Sequence, residues 1–322
     1  MGCIWHMVRQ LASTITLLLV CCLPAWGADN QLTFVFQKQK DPASIKLEAD
    51  RVAEFLSEKL GQQVRTQVPS DYAASVQALV SKRADIAYID SIAFLLARRD
   101  GGAKMLLAEQ RLDSRGQLRT DYDSIFVVRQ DSQLSDLAQV VGGAKNLRIA
   151  FTSPTSTSGY VMAYRRLVKE GLLQAGQNPK RAFKSVSFAG SYTAALEQVL
   201  ADRADLCAVS YYALEGKGAD KYLARKKRNK LRVLARTPGV PTHVVAARAG
   251  LEPKLVAEIR SALLALSDAQ PHLLEDVYGT SRFVRVDEDQ HVQASVEAIE
   301  YLQLPITGIV NKTLVAKNIL TK

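Results

Sequence analysis

Between the apolar stretch Leu147 to Phe151 and a helical pattern carrying Val161, Tyr164, Leu167 and Val168 lies the segment Thr152-Ser153-Pro154-Thr155-Ser156-Thr157-Ser158-Gly159-Tyr160. Five of the seven positions from Ser153 to Gly159 are hydroxyl residues. A strand-to-helix junction directs the first unpaired N–H groups of the helix, with the positive end of its dipole, into the crevice at the strand ends. Hydroxyls from Ser156, Thr157 and Ser158 would add short-range donors there, and Gly159 would remove a side chain that blocks close approach. The implied chemistry is a cradle for a tetrahedral oxyanion. Ser and Thr also favour helix N-caps whatever the function, but five hydroxyls exceed what a cap requires.

The surrounding pattern must position that loop. Leu32 to Phe36 reads as a strand, Ile45, Val52, Phe55, Leu56 and Leu60 fall at helical spacing before Gly61, and Val64 to Val68 alternates as a strand. Ser70 can cap a helix with Val76, Leu79 and Val80; Asp85 to Ile89 is a buried-strand pattern, and Ile92 to Ala97 starts another helix. The same order restarts with strand Leu147 to Phe151, strand Ser185 to Phe188, helix Ser191 to Leu200 and strand Asp205 to Val209. Two such units predict two α/β lobes, each a mostly parallel sheet covered by helices. The β-forming runs Ser124 to Arg129 and His243 to Ala247 are where the chain would cross between them, a two-crossing hinge. The helices after Leu251 are expected to complete and brace the first lobe.

Composition fits this reading. The chain has 322 residues, 48% hydrophobic and 23% charged, which excludes disorder, collagen and coiled coil, and its net charge of +10 suggests an anionic partner without choosing one. Arg9, the apolar run Leu11 to Leu23, Pro24 and the small-residue pattern Ala25-Trp26-Gly27 form the three parts of a secretory signal peptide cleaved near Gly27 or Ala28. Its removal takes away three of four cysteines and leaves Cys207, so no internal disulfide can form. Val20 and Cys21, which precede the candidate acylation sites Cys21 and Cys22, are not small, and this argues against a lipid anchor. The expected organisation is a leader over 1–27, a first lobe over 28–127 and 241–322, and a second over 128–240, in an exported monomer.

The chain resembles the periplasmic substrate-binding proteins of phosphonate, phosphite and phosphate ABC transporters. The likeness runs through Asp71-Tyr72-Ala73-Ala74, Ala84-Asp85-Ile86-Ala87-Tyr88, Asp121-Tyr122-Asp123-Ser124, the Pro154 to Gly159 loop, Phe188-Ala189-Gly190-Ser191-Tyr192 and Ala204-Asp205-Leu206-Cys207-Ala208-Val209, to Thr237-Pro238-Gly239-Val240-Pro241. It implies a type II periplasmic-binding fold in which two lobes close on the ligand and hand it to a membrane permease. It further implies that phosphoryl oxygens are held by Ser156, Thr157 and Ser158 and by phenols at Tyr72 and Tyr122. A phenol donates without a charge, which suits a buried site. Ser91 falls near the cleft where the family often has Pro, and Ser124 is similar.

Two departures stand out. The family motif Gly-Ser-His reads Gly190-Ser191-Tyr192 here, and the acid common after the next strand is replaced by Ser210. Tyr192 and Ser210 can each donate or accept, so phosphate, phosphite or a simple phosphonate is expected, without support for an aminoalkyl phosphonate and with arsenic oxyanions as an alternative. Cys207, in an apolar strand, reads as a packing residue, the alternative being a thiol near the cleft that captures a soft ligand such as trivalent arsenic. The basic run Lys221 to Lys230 has only Tyr222 among its cations and reads as a solvated helix face, so no nucleic acid is expected. His243, His272 and His291 show no metal-ligand spacing, no cofactor is implied, and no Ser-His-Asp or Gly-x-Ser-x-Gly pattern would carry an enzyme. The partner is then an ABC permease or, in the alternative, a membrane sensor kinase.

Overall fold

The computed structural model describes residues 31–113 and 115–304; the leader expected over 1–27 lies outside them. The first βαβ run builds β1 (Gln31–Phe36), α1 (Pro42–Leu60), β2 (Gln63–Gln67), α2 (Tyr72–Val80), β3 (Ile86–Ile89) and α3 (Ser91–Gly101). Three helices begin at a carboxylate: Asp41, Asp71 and Asp90 accept from the N–H three residues on, where a short acceptor satisfies an otherwise unpaired donor. The cap of α2 is Asp71, not Ser70; Ser70 instead donates to the Asp71 carboxylate at 3.3 Å. Gly61 ends α1 in the left-handed conformation, φ 64°, as glycine does at little cost.

β4 (Lys104–Leu112) and β5 (Leu118–Arg119) follow, and then β6 (Asp121–Arg129) enters a second sheet. That sheet takes α4 (Leu137–Gly143), β7 (Arg148–Phe151), a wide turn over Thr157–Met162 continuing into α5 (Ala163–Lys169), β8 (Ser185–Phe188), α6 (Tyr192–Leu200), β9 (Leu206–Ser210), the short exposed α7 (Arg225–Arg228) and β10 (Leu231–Pro241). The chain returns through β11 (Val244–Ala247), α8 (Pro253–Ala269), α9 (Pro271–Tyr278), β12 (Arg282–Val284) and α10 (Glu288–Leu302). The strand orders are β12-β4-β11-β3-β1-β2, with β5 on β4, and β10-β6-β9-β7-β8.

Both sheets are mixed. Repeated βαβ units make β2-β1-β3 and β8-β7-β9 parallel, while the crossing strands join antiparallel: β6 to β9 and β10, β11 to β3 and β4. Because β6 pairs throughout with the second sheet, the first crossing falls at Thr120, ahead of the 127/128 boundary expected from sequence. The two crossings lie side by side, Thr242 N–H donating to Thr120 O at 3.0 Å. Central strands β3, β9 and β11 are buried on both faces, as strands covered by helices on each side must be. One apolar core lies between the first sheet and α1, α8 and α9; the other joins α2 and α3 to the whole second lobe and α10. The C-terminal helix therefore braces both lobes rather than the first alone, with Val292, Ala298, Ile299 and Leu302 buried.

Gly159 sits in the wide turn that leads from β7 into α5. Its carbonyl accepts from Thr152 N–H at 3.0 Å, and Val161 N–H reaches back five residues to Ser156 O at 3.0 Å, the bonding of a π-turn. A Cβ on Gly159 would stand 2.1 Å from Thr152 Oγ1 and 2.4 Å from Thr152 Cβ. The glycine thus lets the turn close on the end of β7, a different need from the open approach expected from sequence. Gly159→Ala is expected to lower stability by about 1–3 kcal/mol, read as a lower urea midpoint at unchanged slope. Gly142→Ala in α4, where the added Cβ meets nothing within 4 Å, should stay neutral or gain slightly.

Candidate functional site

Each βα turn that opens on the crevice places the residue just after its cap inward. Tyr72 follows Asp71, Ser91 follows Asp90, Thr157 follows Ser156, Tyr192 follows Ser191, and all four are fully buried. The crevice-facing helices of the first lobe are capped by carboxylates, which offset the positive helix end. Those of the second lobe are capped by hydroxyls, Ser156 on Gly159 N–H at 3.1 Å and Ser191 on Ala194 N–H at 3.1 Å. The second lobe therefore presents the more electropositive wall.

All eight residues singled out in the sequence gather here. Ser158 Oγ meets Ser210 Oγ at 2.7 Å and Tyr192 Oη at 3.1 Å. Ser124, opposite Ser210 in the β6–β9 register, donates to Ser158 O at 2.7 Å. Thr157 reaches the other lobe: its hydroxyl accepts from Ile92 N–H at 3.0 Å and lies 3.2 Å from Ser91 Oγ, while its N–H donates to Asp90 Oδ2 at 3.2 Å. Ser91 also bonds Ser295 of α10 at 2.7 Å. The Ser156 hydroxyl is committed to its cap. Tyr72 and Tyr122 lie beside Tyr192 and Asp90, the Tyr72 phenol facing Tyr192 and the Tyr122 phenol facing Ser158 and Ser210, and neither oxygen makes a hydrogen bond of ordinary geometry. Burial pushes both phenols well above their ordinary range, so they stay protonated and can donate.

Other residues complete the wall without having announced themselves in the sequence. His243, at the second crossing, is fully buried with neither ring nitrogen hydrogen-bonded; its Nδ1 is 3.5 Å from Glu109 Oε1 and its ring stacks on Tyr122 with centroids 6.2 Å apart. Gln37 and Gln39 are fully buried, and each has an unpartnered side-chain nitrogen. The orientation of Gln37 is fixed, because its oxygen accepts the Asp90 backbone N–H at 3.0 Å. The unpartnered set of Tyr72, Tyr122, His243, Gln37 and Gln39 is a set of potential donors, and buried donors of this kind are costly to leave unmade.

The lobes are drawn together around this set. Gln39 O accepts from Tyr192 N–H at 3.0 Å, and Gln39 Oε1 accepts from Tyr212 at 3.2 Å and Tyr222 at 3.1 Å. Arg111 lays its guanidinium 3.7 Å over the Tyr212 ring. Behind it, Glu109 takes hydrogen bonds from Tyr88, Thr280 and Arg111. Burial raises the Glu109 carboxyl, but Arg111, His243 and Tyr88 outweigh burial and hold it down at about 2. Cys207 lies fully buried in β9, where burial pushes its thiol up, so it serves as a protonated apolar filler. The basic run is exposed at Arg225, Lys226, Lys227 and Lys230, while Lys221 and Arg228 are half-buried, with Lys227 paired to Glu197 and Arg228 to Asp220.

Residues 34–291 match the family described as ABC transporter, phosphonate, periplasmic substrate-binding protein, and the chain belongs to that family of two-lobed binding proteins. It is 24% identical over 196 residues to the phosphate-import protein PhnD of Mycolicibacterium smegmatis, a match spanning 58% of this chain and 60% of that protein. It is 25% identical over 246 residues to a probable ABC transporter phosphite-binding protein, PhnD1, of Prochlorococcus marinus, spanning 73% of this chain and 78% of the relative. The fold matches a binding protein component of an ABC phosphonate transporter from Pseudomonas aeruginosa, with TM-score 0.74, 21% identity and coverage of 88% and 90% of the two chains. It also matches the Prochlorococcus PhnD1 structure in complex with methylphosphonate, with TM-score 0.73, 20% identity and coverage of 85% and 98%.

The depressed Glu109 carboxyl links stability to pH. Its folded value of about 2 lies below the unfolded value of about 4.3, so its contribution is complete above about pH 5 and is lost as pH falls toward 2. Urea unfolding across that range should show this decline. Glu109→Gln, which leaves Arg111 buried without its counter-ion, should cost about 3–5 kcal/mol at neutral pH and flatten the acid arm.

Proposed function

We propose that the protein captures a small tetrahedral oxyanion, namely phosphate, phosphite or a simple phosphonate, between its lobes and delivers it to an ABC permease. The observation that carries this reading is the meeting of buried donors without partners of ordinary geometry, the Tyr72 and Tyr122 phenols above all, with the hydroxyl-rich turn that leads into α5. An acceptor-rich ligand is what such a set lacks, and an oxyanion supplies several acceptors at once. The ligands named for the family and its relatives, phosphonate, phosphate and phosphite, agree with that chemistry.

In this reading Tyr72 and Tyr122 donate to ligand oxygens, and Ser158, already beside Tyr192 and Ser210, presents the second lobe's hydroxyls. Ser91 and Thr157 act as the tie that draws the lobes together, and Ser156 holds the turn in shape. The neutral Tyr192 and Ser210 give an ammonium group no carboxylate on the second lobe's wall, so that wall lends an aminoalkyl phosphonate no support. Contacts to both lobes make the ligand favour the closed form by its difference in affinity for the two forms, and the closed form is what a permease would recognise.

Calorimetric titration with phosphate, phosphite and methylphosphonate tests the reading directly. At least one should bind, and silence from all three would overturn it. Tyr72→Phe and Tyr122→Phe each remove an oxygen that has no partner within the protein, so each should weaken binding by about 1–3 kcal/mol while leaving the urea midpoint of the free protein unchanged or raised. Full affinity in both variants would contradict the assigned contacts.

A further inference from the structure

Residues 211–222 of the second lobe, between β9 and α7, make much of its contact with the first. Tyr212 donates to Gln39 Oε1 at 3.2 Å, the Tyr222 phenol lies 3.1 Å from the same oxygen and 3.2 Å from Tyr278 O, and Lys221 Nζ lies 3.1 Å from Asp276 Oδ1. In the middle of this stretch Gly218 stands against Gly279, the residue that ends α9. A Cβ on Gly218 would lie 3.2 Å from Gly279 Cα, and one on Gly279 would lie 3.3 Å from Gly218 Cα. The backbones of the two lobes meet there with no side chain between them.

The two glycines answer different needs. Gly279 is a left-handed helix end, φ 74°, which favours glycine whatever faces it. Gly218 has φ −83° and ψ −6°, a conformation open to other residues, so its own backbone does not call for glycine. Among the described residues, and chain neighbours aside, Gly279 Cα is the one heavy atom within 4 Å of a Cβ added to Gly218. A cavity of about 680 Å³, lined by Arg111, Tyr212, Lys217 and Lys221 from both lobes, lies beside the pair. The tight fit is thus confined to the two backbones, and what glycine at 218 permits is the approach of one lobe to the other.

That approach reaches the crevice through Tyr212, earlier in the same stretch. Its ring centroid is 5.4 Å from that of Tyr122 and 5.9 Å from that of Tyr192, and Arg111 of the first lobe covers it at 3.7 Å. A ligand bridging Tyr72 on the first lobe and Tyr122 and Ser158 on the second needs the lobes at one separation, because the useful range of hydrogen-bond length is only about 0.5 Å.

We propose that Gly218 is a positioning residue for capture: it touches no ligand, and it sets the affinity of the crevice by letting the second lobe close onto the backbone of Gly279. The inference rests on the two-lobed oxyanion reading above. Where the lobes part, a side chain at 218 has no opposing backbone, so it penalises the closed form alone and shifts the balance toward release. The penalty falls on the closed form and not on the ligand, so it is the same for every anion held there.

Calorimetry and rapid-mixing kinetics with phosphite and methylphosphonate, together with urea unfolding of the ligand-free proteins, test this. Gly218→Ala should bind each anion that the wild type binds about tenfold more weakly. The loss should match between the anions to within about threefold and lie in faster dissociation, with association within about twofold of wild type. Gly218→Ser, which brings the same Cβ, should repeat it, and Lys217→Ala, at the exposed neighbouring position, should keep wild-type affinity. The urea midpoint of ligand-free Gly218→Ala should equal or exceed that of the wild type, since alanine at this φ restricts the unfolded chain. Unchanged affinity in Gly218→Ala, a loss for one anion only, a loss in slower association, an equal loss in Lys217→Ala or a lowered urea midpoint would each overturn the inference and leave the oxyanion reading standing. A wild type that binds neither anion would overturn that reading, and this one with it.

Discussion

Buried hydrogen-bond donors that the fold itself does not satisfy are the constraint on which the rest of this structure turns. Tyr72, Tyr122 and His243 bring such groups together where the lobes meet, beside serines around Ser158 that are paired. A protein tolerates that cost where a ligand relieves it, because the same desolvation that penalises the unpaired group strengthens the bond it makes when a partner arrives. Tyr72 takes its position from a simple repeat, the residue just after the cap of a βα turn, whereas Tyr122 and His243 are placed by the two crossings, at the start of β6 and just ahead of β11. Carboxylate caps on one lobe and hydroxyl caps on the other give the two walls different electrostatic character without a single lysine at the centre.

Besides the apolar core they share, the lobes meet through short, direct polar ties. Thr157 to Asp90 and Ile92, Gln39 to Tyr192, Tyr212 and Tyr222, and Arg111 against the Tyr212 ring are each modest contacts. With the crossings tied at Thr120 and Thr242, such a set would have to form and break together if the lobes rotated as rigid units. Bistability of this kind suits a carrier, since a contact too strong in the empty form would hide the site and one too weak would leave the filled form without a distinct shape. The apolar core shared by α2, α3, α10 and the second lobe limits how far that motion can go.

Much of this was legible in the residues alone. Strand and helix periodicity located β1, β2, β3, β7, β8 and β9 to within a residue or two, because buried strands and amphipathic helices leave local patterns. The Ser153 to Gly159 run announced the second wall, and resemblance to a family supplied Tyr72 and Tyr122, which as single aromatics carry no pattern of their own. Asp90 was hidden because it looks like the end of a strand, and its meaning depends on Thr157, sixty-seven residues away. His243 looked scattered for the same reason: only the register of β11 with β3 and β4 brings it to Tyr122 and Glu109. Gly159 was marked correctly but for a different purpose, since the clash it avoids is with Thr152 and arises from a wide turn that periodicity does not encode.

The most direct trial of the account is a crystal structure of the protein grown with methylphosphonate. The expected result is a tetrahedral group enclosed between the lobes, its oxygens within hydrogen-bond reach of the Tyr72 and Tyr122 phenols and of Ser158. A tetrahedral group seated anywhere else, with both phenols still lacking a partner, would contradict it.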